Sequence, residues 1–180
     1  MLKTLRQIAR IGIVTEPWPA AAEELRVRQA LQADVRAILG RALCIRQVDA
    51  GSCNGCELEL HALNNPYYNL EGLGIKFVAS PRHADLLLVT GPVAKHMAVA
   101  LRRTYDAAPD PKLVVAVGDC GCTGGIFGES YASLGAVASV IPVDVTVPGC
   151  PPTPVALLRG ILAAVSPGAA RMPGDPPASR

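Results

Sequence analysis

Two cysteines near the first third of the chain have the spacing of a metal-binding or redox pair. Cys53 and Cys56 form a Cys-x-x-Cys motif in a segment that begins with Gly51 and Ser52. Two intervening residues allow both thiols to face one metal centre from a single turn. Taken alone, this motif is compatible with half of a zinc site, a thioredoxin-like redox pair or part of an iron–sulfur ligand set.

Two further cysteines occur singly, each in a glycine-containing segment that follows a predicted strand. Cys120 lies in GDCGCTGG at 118–125, and Cys150 lies in PGCPP at 148–152. The Cys-x-x-Cys motif also follows a predicted strand. Because the carboxyl ends of parallel strands meet at one edge of an open sheet, where such folds bind ligands, we expect the four thiols to converge.

The composition of this set favours an iron–sulfur cluster. Thiolate-only ligation, glycine-rich surroundings and a proline directly after Cys150 are typical of a 4Fe-4S site. A zinc site with four thiolate ligands is the alternative. Zinc sites more often combine two short Cys-x-x-Cys motifs, whereas this chain offers one pair and two remote cysteines, and we therefore favour iron and sulfide over zinc.

The two remaining cysteines have simpler interpretations. Cys44 lies within a predicted strand that has no neighbouring glycine, so we expect a small, buried, apolar side chain. Cys122 lies two residues beyond Cys120, and both a buried role and a role near the metal are open for it. If the 118–119 turn holds Cys120 in place, Cys122 should point away from the same iron.

Two carboxylates directly after the Cys-x-x-Cys motif could also take part in chemistry. Glu57 and Glu59 follow Cys56, and a carboxylate beside a redox centre could relay protons. The simpler interpretation is an acidic residue in the first turn of a helix, where the helix dipole stabilises negative charge.

Basic residues and glycines elsewhere give weaker signals. Arg82 and His83 could donate to a cluster or line an interface, or Arg82 could form a surface salt bridge with Asp85. His61 and His96 have no neighbouring ligand types, and we expect ordinary helix residues. The Gly124-Gly125 pair belongs to no nucleotide-binding motif, so neither a nucleotide nor a flavin is expected.

The elements that must position these residues are short apolar runs that alternate with helical patterns. The predicted strands cover residues 44–48, 75–79, 86–90, 113–117 and 143–147. This alternation predicts an α/β fold with a parallel sheet and crossover helices. Ser80-Pro81 is typical of an N-cap followed by the first residue of a short helix, and a longer helix is expected over 92–105.

We expect three parts along the chain. Residues 1–43 form a helical extension, 44–165 the α/β domain, and the proline- and glycine-rich residues 166–180 a loose tail. Within the extension, a second helix is predicted from about 20 to 40. The first segment has apolar residues at helical spacing with basic residues between them, and we expect it to lie against membrane subunits or the lipid surface. The apolar residues are Leu2, Leu5, Ile8 and Ile11, and the basic residues are Lys3, Arg6 and Arg10.

Composition narrows the class of protein. The chain has 180 residues, of which 50% are hydrophobic and 18% charged, and this length suits one globular domain. The net charge of +2 comes from residues spread along the chain, so no basic block indicates nucleic-acid binding. The apolar runs are far shorter than the ~18 residues that cross a bilayer. No secretory signal pattern is present, and in the expected cytoplasmic location clustered thiols usually bind metals or perform redox chemistry.

Four segments together resemble the small electron-transfer subunit of group 4 membrane-bound nickel–iron hydrogenases. They are VDAGSCNGCELEL at 48–60, GIKFVASPRHADLLLVTG at 74–91, GDCGCTGGIF at 118–127 and VPGCPPTP at 147–154. The hydrogenase-4 and formate hydrogenlyase branch is the most similar, and the related 20 kDa subunit of respiratory complex I is more distant. Complex I homologues usually carry adjacent cysteines where this chain has the separated Cys53 and Cys56.

The resemblance implies a site and a set of partners. Cys53, Cys56, Cys120 and Cys150 would ligate one proximal 4Fe-4S cluster in a flavodoxin-like domain, while Cys122 departs from the four-ligand pattern. The partners would be a nickel–iron large subunit, a ferredoxin-like iron–sulfur subunit and integral membrane subunits.

The resemblance also implies a role within an oxidoreductase complex. The chain would pass electrons at the cytoplasmic face of the cell membrane, as a peripheral subunit that is not catalytic alone and supplies no acid, base or nucleophile. The alternative is a complex I-like subunit that passes electrons from ferredoxin or NADH clusters to quinone.

Overall fold

The computed structural model describes residues 2–11, 26–27, 29–30, 32–33, 37 and 40–166. Its strands are β1 (Leu43–Asp49), β2 (Ile75–Phe77), β3 (Leu86–Thr90), β4 (Leu113–Val117) and β5 (Val145–Val147). The α-helices whose bounds are defined are α1 (Leu2–Ile11), α2 (Gly55–Leu63), α3 (Lys95–Ala107), α4 (Gly118–Thr123) and α5 (Pro154–Val165). Short 3-10 turns cover Leu70–Leu73, Pro81–His83 and Val137–Ser139.

All five strands are parallel and lie in the order β2-β1-β3-β4-β5. This is the flavodoxin-like order, which confirms the predicted α/β fold. Every side chain of the central strand β3 is buried. A strand covered on both faces needs apolar residues at successive positions, which is why Leu86–Thr90 is an almost continuous apolar run.

Helices on both faces of the sheet bury two apolar cores. On one face, Ile45 of β1 belongs to the same cluster as Leu60 of α2 and Ile161 of α5. On the other face, Leu87 of β3 belongs to the cluster that includes Leu101 of α3. Since β1 and β3 send their connections to opposite faces, the loops that follow them open at the switch point of the sheet, where ligands bind in such folds.

Several predicted boundaries shift for local reasons. The helix expected over 92–105 starts at Lys95, because Val93 N–H donates to Gly135 O at 2.8 Å and Val93 O accepts from Leu134 N–H at 2.7 Å. The predicted short helix after Ser80 is the 3-10 turn Pro81–His83, and Ser80 caps it as expected. The outer strands β2 and β5 are shorter than predicted, since each pairs with its one neighbouring strand over three residues.

The N-terminal region contains helical backbone at the predicted positions. Helix α1 lies within the first predicted segment, and the described residues at 26–27, 29–30, 32–33 and 37 are helical. Val27 packs against the first core, and Gln32 Nε2 donates to Gly72 O at 3.1 Å. No helix in the described ranges has the length and apolar character needed to span a lipid bilayer.

The predicted division into 1–43, 44–165 and 166–180 stays a prediction. Residues 167–180, which make up nearly all of the predicted tail, lie outside the described residues.

Candidate metal centre

The segment after β1 turns sharply before it reaches the Cys-x-x-Cys motif. Asp49 Oδ1 accepts hydrogen bonds from Gly51 N–H and Ser52 N–H, both at 2.8 Å. Cys53 is exposed in this turn, and Cys56 is half-buried in the first turn of α2. The motif therefore spans the end of a loop and the start of a helix.

The other two candidate ligands follow β4 and β5. Cys120 lies in the short helix α4 and is half-buried, and Cys150 is exposed in the segment between β5 and α5. All three cysteine segments thus begin at the carboxyl ends of β1, β4 and β5, at one edge of the sheet.

Two of the four thiols have raised pKa values, and the charges of other cysteines contribute to both. Burial raises the pKa of Cys56 from 9.0 to about 12, with further contributions from the charges of Glu57, Cys53, Cys120 and Cys150. Burial is also the largest cause of the raised pKa of Cys120. The charges of Cys150, Cys53 and Asp119 make smaller contributions. Since charge–charge interactions weaken with distance, this mutual influence supports the predicted convergence.

Glycines give the thiols room. A β-carbon added at Gly118 would lie 2.6 Å from Cys56 Sγ, and one added at Gly125 would lie 2.9 Å from Cys120 Sγ. A β-carbon at Gly55 would lie 3.6 Å from Cys53 Sγ. Gly118 and Gly125 therefore lie against thiols at positions where any larger residue would clash with the sulfur, whereas a side chain at position 55 would make an ordinary contact.

The two remaining cysteines have different surroundings. Cys44 is buried in the sheet, as predicted, and its Sγ lies 3.8 Å from Ala42 O. Cys122 Sγ donates to Ala116 O at 3.7 Å. Because residues two apart on a helix project in nearly opposite directions, this bond supports a Cys122 thiol turned away from the one at Cys120.

Glu57 differs from what its sequence context indicates. It lies in the first turn of α2, as the simpler interpretation predicts, but it is only 6% exposed. Within the described part of the chain, neither of its carboxylate oxygens has a hydrogen-bond partner. Glu59 is half-buried on the same helix. Sequence reasoning missed the burial of Glu57, which depends on how α2 lies against the rest of the molecule.

The basic residues lie away from the cysteine edge. Arg82 and His83 occupy a turn before β3 and line a cavity of about 480 Å³ together with Cys44 and Asp85. Of the two alternatives for Arg82, the salt bridge with Asp85 is not formed, because Asp85 pairs with Arg41, whose Nη1 donates to Asp85 Oδ2 at 3.1 Å. That pairing raises the pKa of Arg41.

The two other histidines are exposed helix residues, as predicted. His61 lies in α2 and His96 in α3. Among the residues that the structure describes, no three His, Cys, Asp or Glu side chains are gathered closely enough to hold a single metal ion.

Large apolar side chains are exposed directly beyond the Cys120 segment. Ile126 is 93% exposed, Phe127 is 55% exposed and Tyr131 is 94% exposed. Leu58, two residues after Cys56, is also exposed. We call these four residues the apolar rim. Sequence reasoning did not single it out, although an Ile-Phe pair directly after two glycines was a possible signal.

Comparisons with known proteins match the part of the chain that carries the cysteines. Residues 53–164 match the family model described as NADH ubiquinone oxidoreductase, 20 Kd subunit. The chain is 45% identical over 139 residues to the probable membrane-bound hydrogenase subunit mbhJ of Pyrococcus furiosus, an alignment that covers 77% of this chain and 83% of that protein. It is 44% identical over 136 residues to formate hydrogenlyase subunit 7 of Escherichia coli, covering 76% of this chain and 53% of that protein.

A solved structure is similar as well. It is a chain of the membrane-bound sulfane sulfur reductase, an archaeal respiratory membrane complex, with a TM-score of 0.63 and 34% sequence identity. The match covers 78% of each chain. One sequence relative, mbhJ, and the similar structure are thus both described as parts of membrane-bound proteins.

Proposed function

This chain belongs to the NADH ubiquinone oxidoreductase 20 kDa subunit family, and on that premise we propose that it is an electron-transfer subunit holding one 4Fe-4S cluster. The ligands are Cys53, Cys56, Cys120 and Cys150. The observation that carries the proposal is that the segments with all four thiols begin at the carboxyl edge of the sheet, where Gly118, two residues before Cys120, lies against the Cys56 thiol.

The residues at this edge fit such a cluster in two respects. The donors are thiols, which are the usual ligands of iron–sulfur clusters. At Gly118 and Gly125 the backbone approaches the sulfur atoms so closely that a β-carbon would clash with them. When bound, the cluster would supply one-electron transfer, and no acid, base or nucleophile from this chain is required.

The chain's own task is to hold the site in a fixed place and to exclude water from part of it. Segments that begin at the strand ends carry the ligands, and Cys56 among them is half-buried. A metal-bound thiol is deprotonated, so the raised pKa values of Cys56 and Cys120 mean that loading the site releases protons near neutral pH.

The apolar rim supports an assembly with other subunits. Its side chains are exposed in the single chain, and Leu58, Ile126 and Phe127 follow proposed ligands within seven residues in the sequence. Exposed apolar surfaces often mark protein interfaces. We assign it to contact with a nickel–iron hydrogenase-like large subunit, since electron transfer requires the two redox centres to lie close together. A ferredoxin-like subunit and integral membrane subunits complete the proposed complex, which lies at the cytoplasmic face of the membrane.

A complex I-like role is the second candidate. It is favoured by the family description, which names an NADH–ubiquinone oxidoreductase subunit. In that case the large subunit carries no nickel and the electrons pass to quinone. A neighbouring open reading frame with two Cys-x-x-Cys motifs, one near each end, would favour the hydrogenase role.

The test is anaerobic purification of the tagged chain from its native cells together with the proteins that accompany it. We expect iron and sulfide in the purified chain, about four of each, a reduced-state electron paramagnetic resonance signal, and nickel in the accompanying large subunit. A chain that contains zinc and no iron would overturn the cluster assignment. A loaded cluster without nickel in the complex would favour the complex I-like role.

A further inference from the structure

Asp119 joins the two remote cysteine segments to each other. Its backbone N–H donates to Gly149 O at 2.9 Å, and Gly149 N–H donates back to Asp119 Oδ1 at 2.8 Å. Asp119 directly precedes Cys120, and Gly149 directly precedes Cys150. The two bonds therefore connect the residues that directly precede two of the proposed ligands.

This connection lies beyond the end of the regular sheet. The last paired residues of β4 and β5 are Val117 and Val147, so ladder hydrogen bonds do not align the segments that follow. Gly149 has φ +132, and a β-carbon there would lie 2.6 Å from Pro152 Cα. The 148–152 segment is thus closely packed on itself, and the Asp119 carboxylate ties it to α4.

The same arrangement occurs at the other end of these strands, away from the cysteines. Asp144 N–H donates to Val114 O at 2.9 Å, and Val114 N–H donates to Asp144 Oδ2 at 2.8 Å. The chain therefore contains a matched pair of aspartates that make equivalent bonds between the same two strand regions. Only one of them adjoins proposed ligands.

We propose that Asp119 is a positioning residue for the metal centre, whose carboxylate sets the separation of Cys120 and Cys150 before a cluster binds. This inference rests on the proposed function. Groups that hold metal ligands in place typically contribute roughly 10- to 100-fold to metal affinity. As a negative charge beside Cys120, Asp119 also opposes reduction of a bound cluster, because reduction adds an electron to it.

The experiment compares Asp119→Ala, Asp119→Asn and Asp144→Ala in the full-length chain, reconstituted anaerobically with ferrous iron and sulfide. Iron content, thermal midpoint and reduction potential are measured for each variant. We expect Asp119→Ala to need roughly 10- to 100-fold more iron for loading. Asp144→Ala should lower the thermal midpoint by a similar amount but load like the wild type.

Asp119→Asn tests the role of the charge through the reduction potential, which a general loss of stability would not change. Asparagine keeps an oxygen that can accept from Gly149 N–H but lacks the charge. It should restore loading and shift the reduction potential to a more positive value. Equal loading of Asp119→Ala and the wild type, or equal losses in Asp119→Ala and Asp144→Ala, would overturn the role of Asp119 and leave the proposed function intact. A wild-type chain that takes up no cluster would overturn both.

Discussion

Gly118 packs directly against the thiol of Cys56, which lies 62 positions earlier in the chain. A β-carbon at position 118 would lie 2.6 Å from Cys56 Sγ, closer than real β-carbons approach other atoms. Gly118 also has φ +79, a conformation that other residues rarely adopt. Local backbone geometry and a long-range contact thus both require glycine at the point where the Cys-x-x-Cys segment meets the Cys120 segment.

This contact predicts different effects of two glycine substitutions. Gly118→Ala and Gly128→Ala both place alanine at positive φ, at a cost of about 1–2 kcal/mol each. Position 128 has open space around it, whereas alanine at 118 must displace the Cys56 thiol. We expect Gly118→Ala to be the more destabilising variant, and a roughly tenfold weaker iron affinity only for Gly118→Ala. Iron titration and thermal unfolding would show this, and equal iron affinity in both variants would contradict it.

Cys120 and Cys122 should differ in their effect on the cluster. Cys120→Ser removes a proposed ligand, so we expect loss of the cluster or its conversion to a three-iron form. Cys122→Ser replaces a thiol that donates to Ala116 O with a hydroxyl that can also donate, so we expect a change in stability of no more than about 0.5–1.5 kcal/mol. The measurement is the electron paramagnetic resonance signal of the reduced protein. If Cys122→Ser abolished that signal and Cys120→Ser preserved it, the ligand at this helix would have to be reassigned.

The raised pKa of Cys56 predicts a pH-dependent stability of the metal-free chain. Its folded-state pKa is about 12, compared with an ordinary value of 9.0. Between these values the folded chain binds more protons than the unfolded chain. The contribution of Cys56 to the stability of the folded chain is therefore fully present below pH 9.0 and is lost as the pH rises towards 12. Urea unfolding under reducing conditions should show a steeper loss of stability over this interval for the wild type than for Cys56→Ser, and identical pH slopes would argue against it.

The apolar rim should be needed for assembly but not for the cluster. Ile126→Ser replaces an almost fully exposed side chain, so the fold and the iron content should not change. We expect at least about 1 kcal/mol weaker association with the large subunit, seen as reduced co-purification. Val99→Ser on α3 is the control, since Val99 is an apolar residue that is 58% exposed on an outer helix. Equal recovery of the large subunit with both variants would remove the rim from the proposed interface.

The N-terminal helix should contribute to membrane attachment. Lys3, Arg6 and Arg10 are exposed on α1, where they can contact anionic head groups. We expect the chain without residues 2–11 to leave membranes at a lower salt concentration than the wild type, with an unchanged iron content. Sedimentation of membranes over a range of salt concentrations would measure the release. Loss of the cluster in this deletion would instead indicate that α1 supports the domain.

The sequence by itself determined the central part of the fold. Strands β3 and β4 begin and end at the predicted residues because each is an apolar run with a polar residue before it and a glycine after it. The alternation of such runs with helical patterns led to the parallel sheet, and the rule that parallel strands end at one edge led to the expected convergence of the cysteines. These signals are local, since a few neighbouring residues carry each of them.

Only the tertiary structure decided which distant residues meet. Asp85 pairs with Arg41, 44 positions away, although Arg82 is much nearer in sequence. Glu57 is buried, and Asp119 is bonded to Gly149 across the gap between two strand ends. Such contacts depend on strand order and on how each helix crosses the sheet, so they are properties of the whole fold. That arrangement determines which residues contact each other in space, and the local sequence around a residue does not predict these contacts.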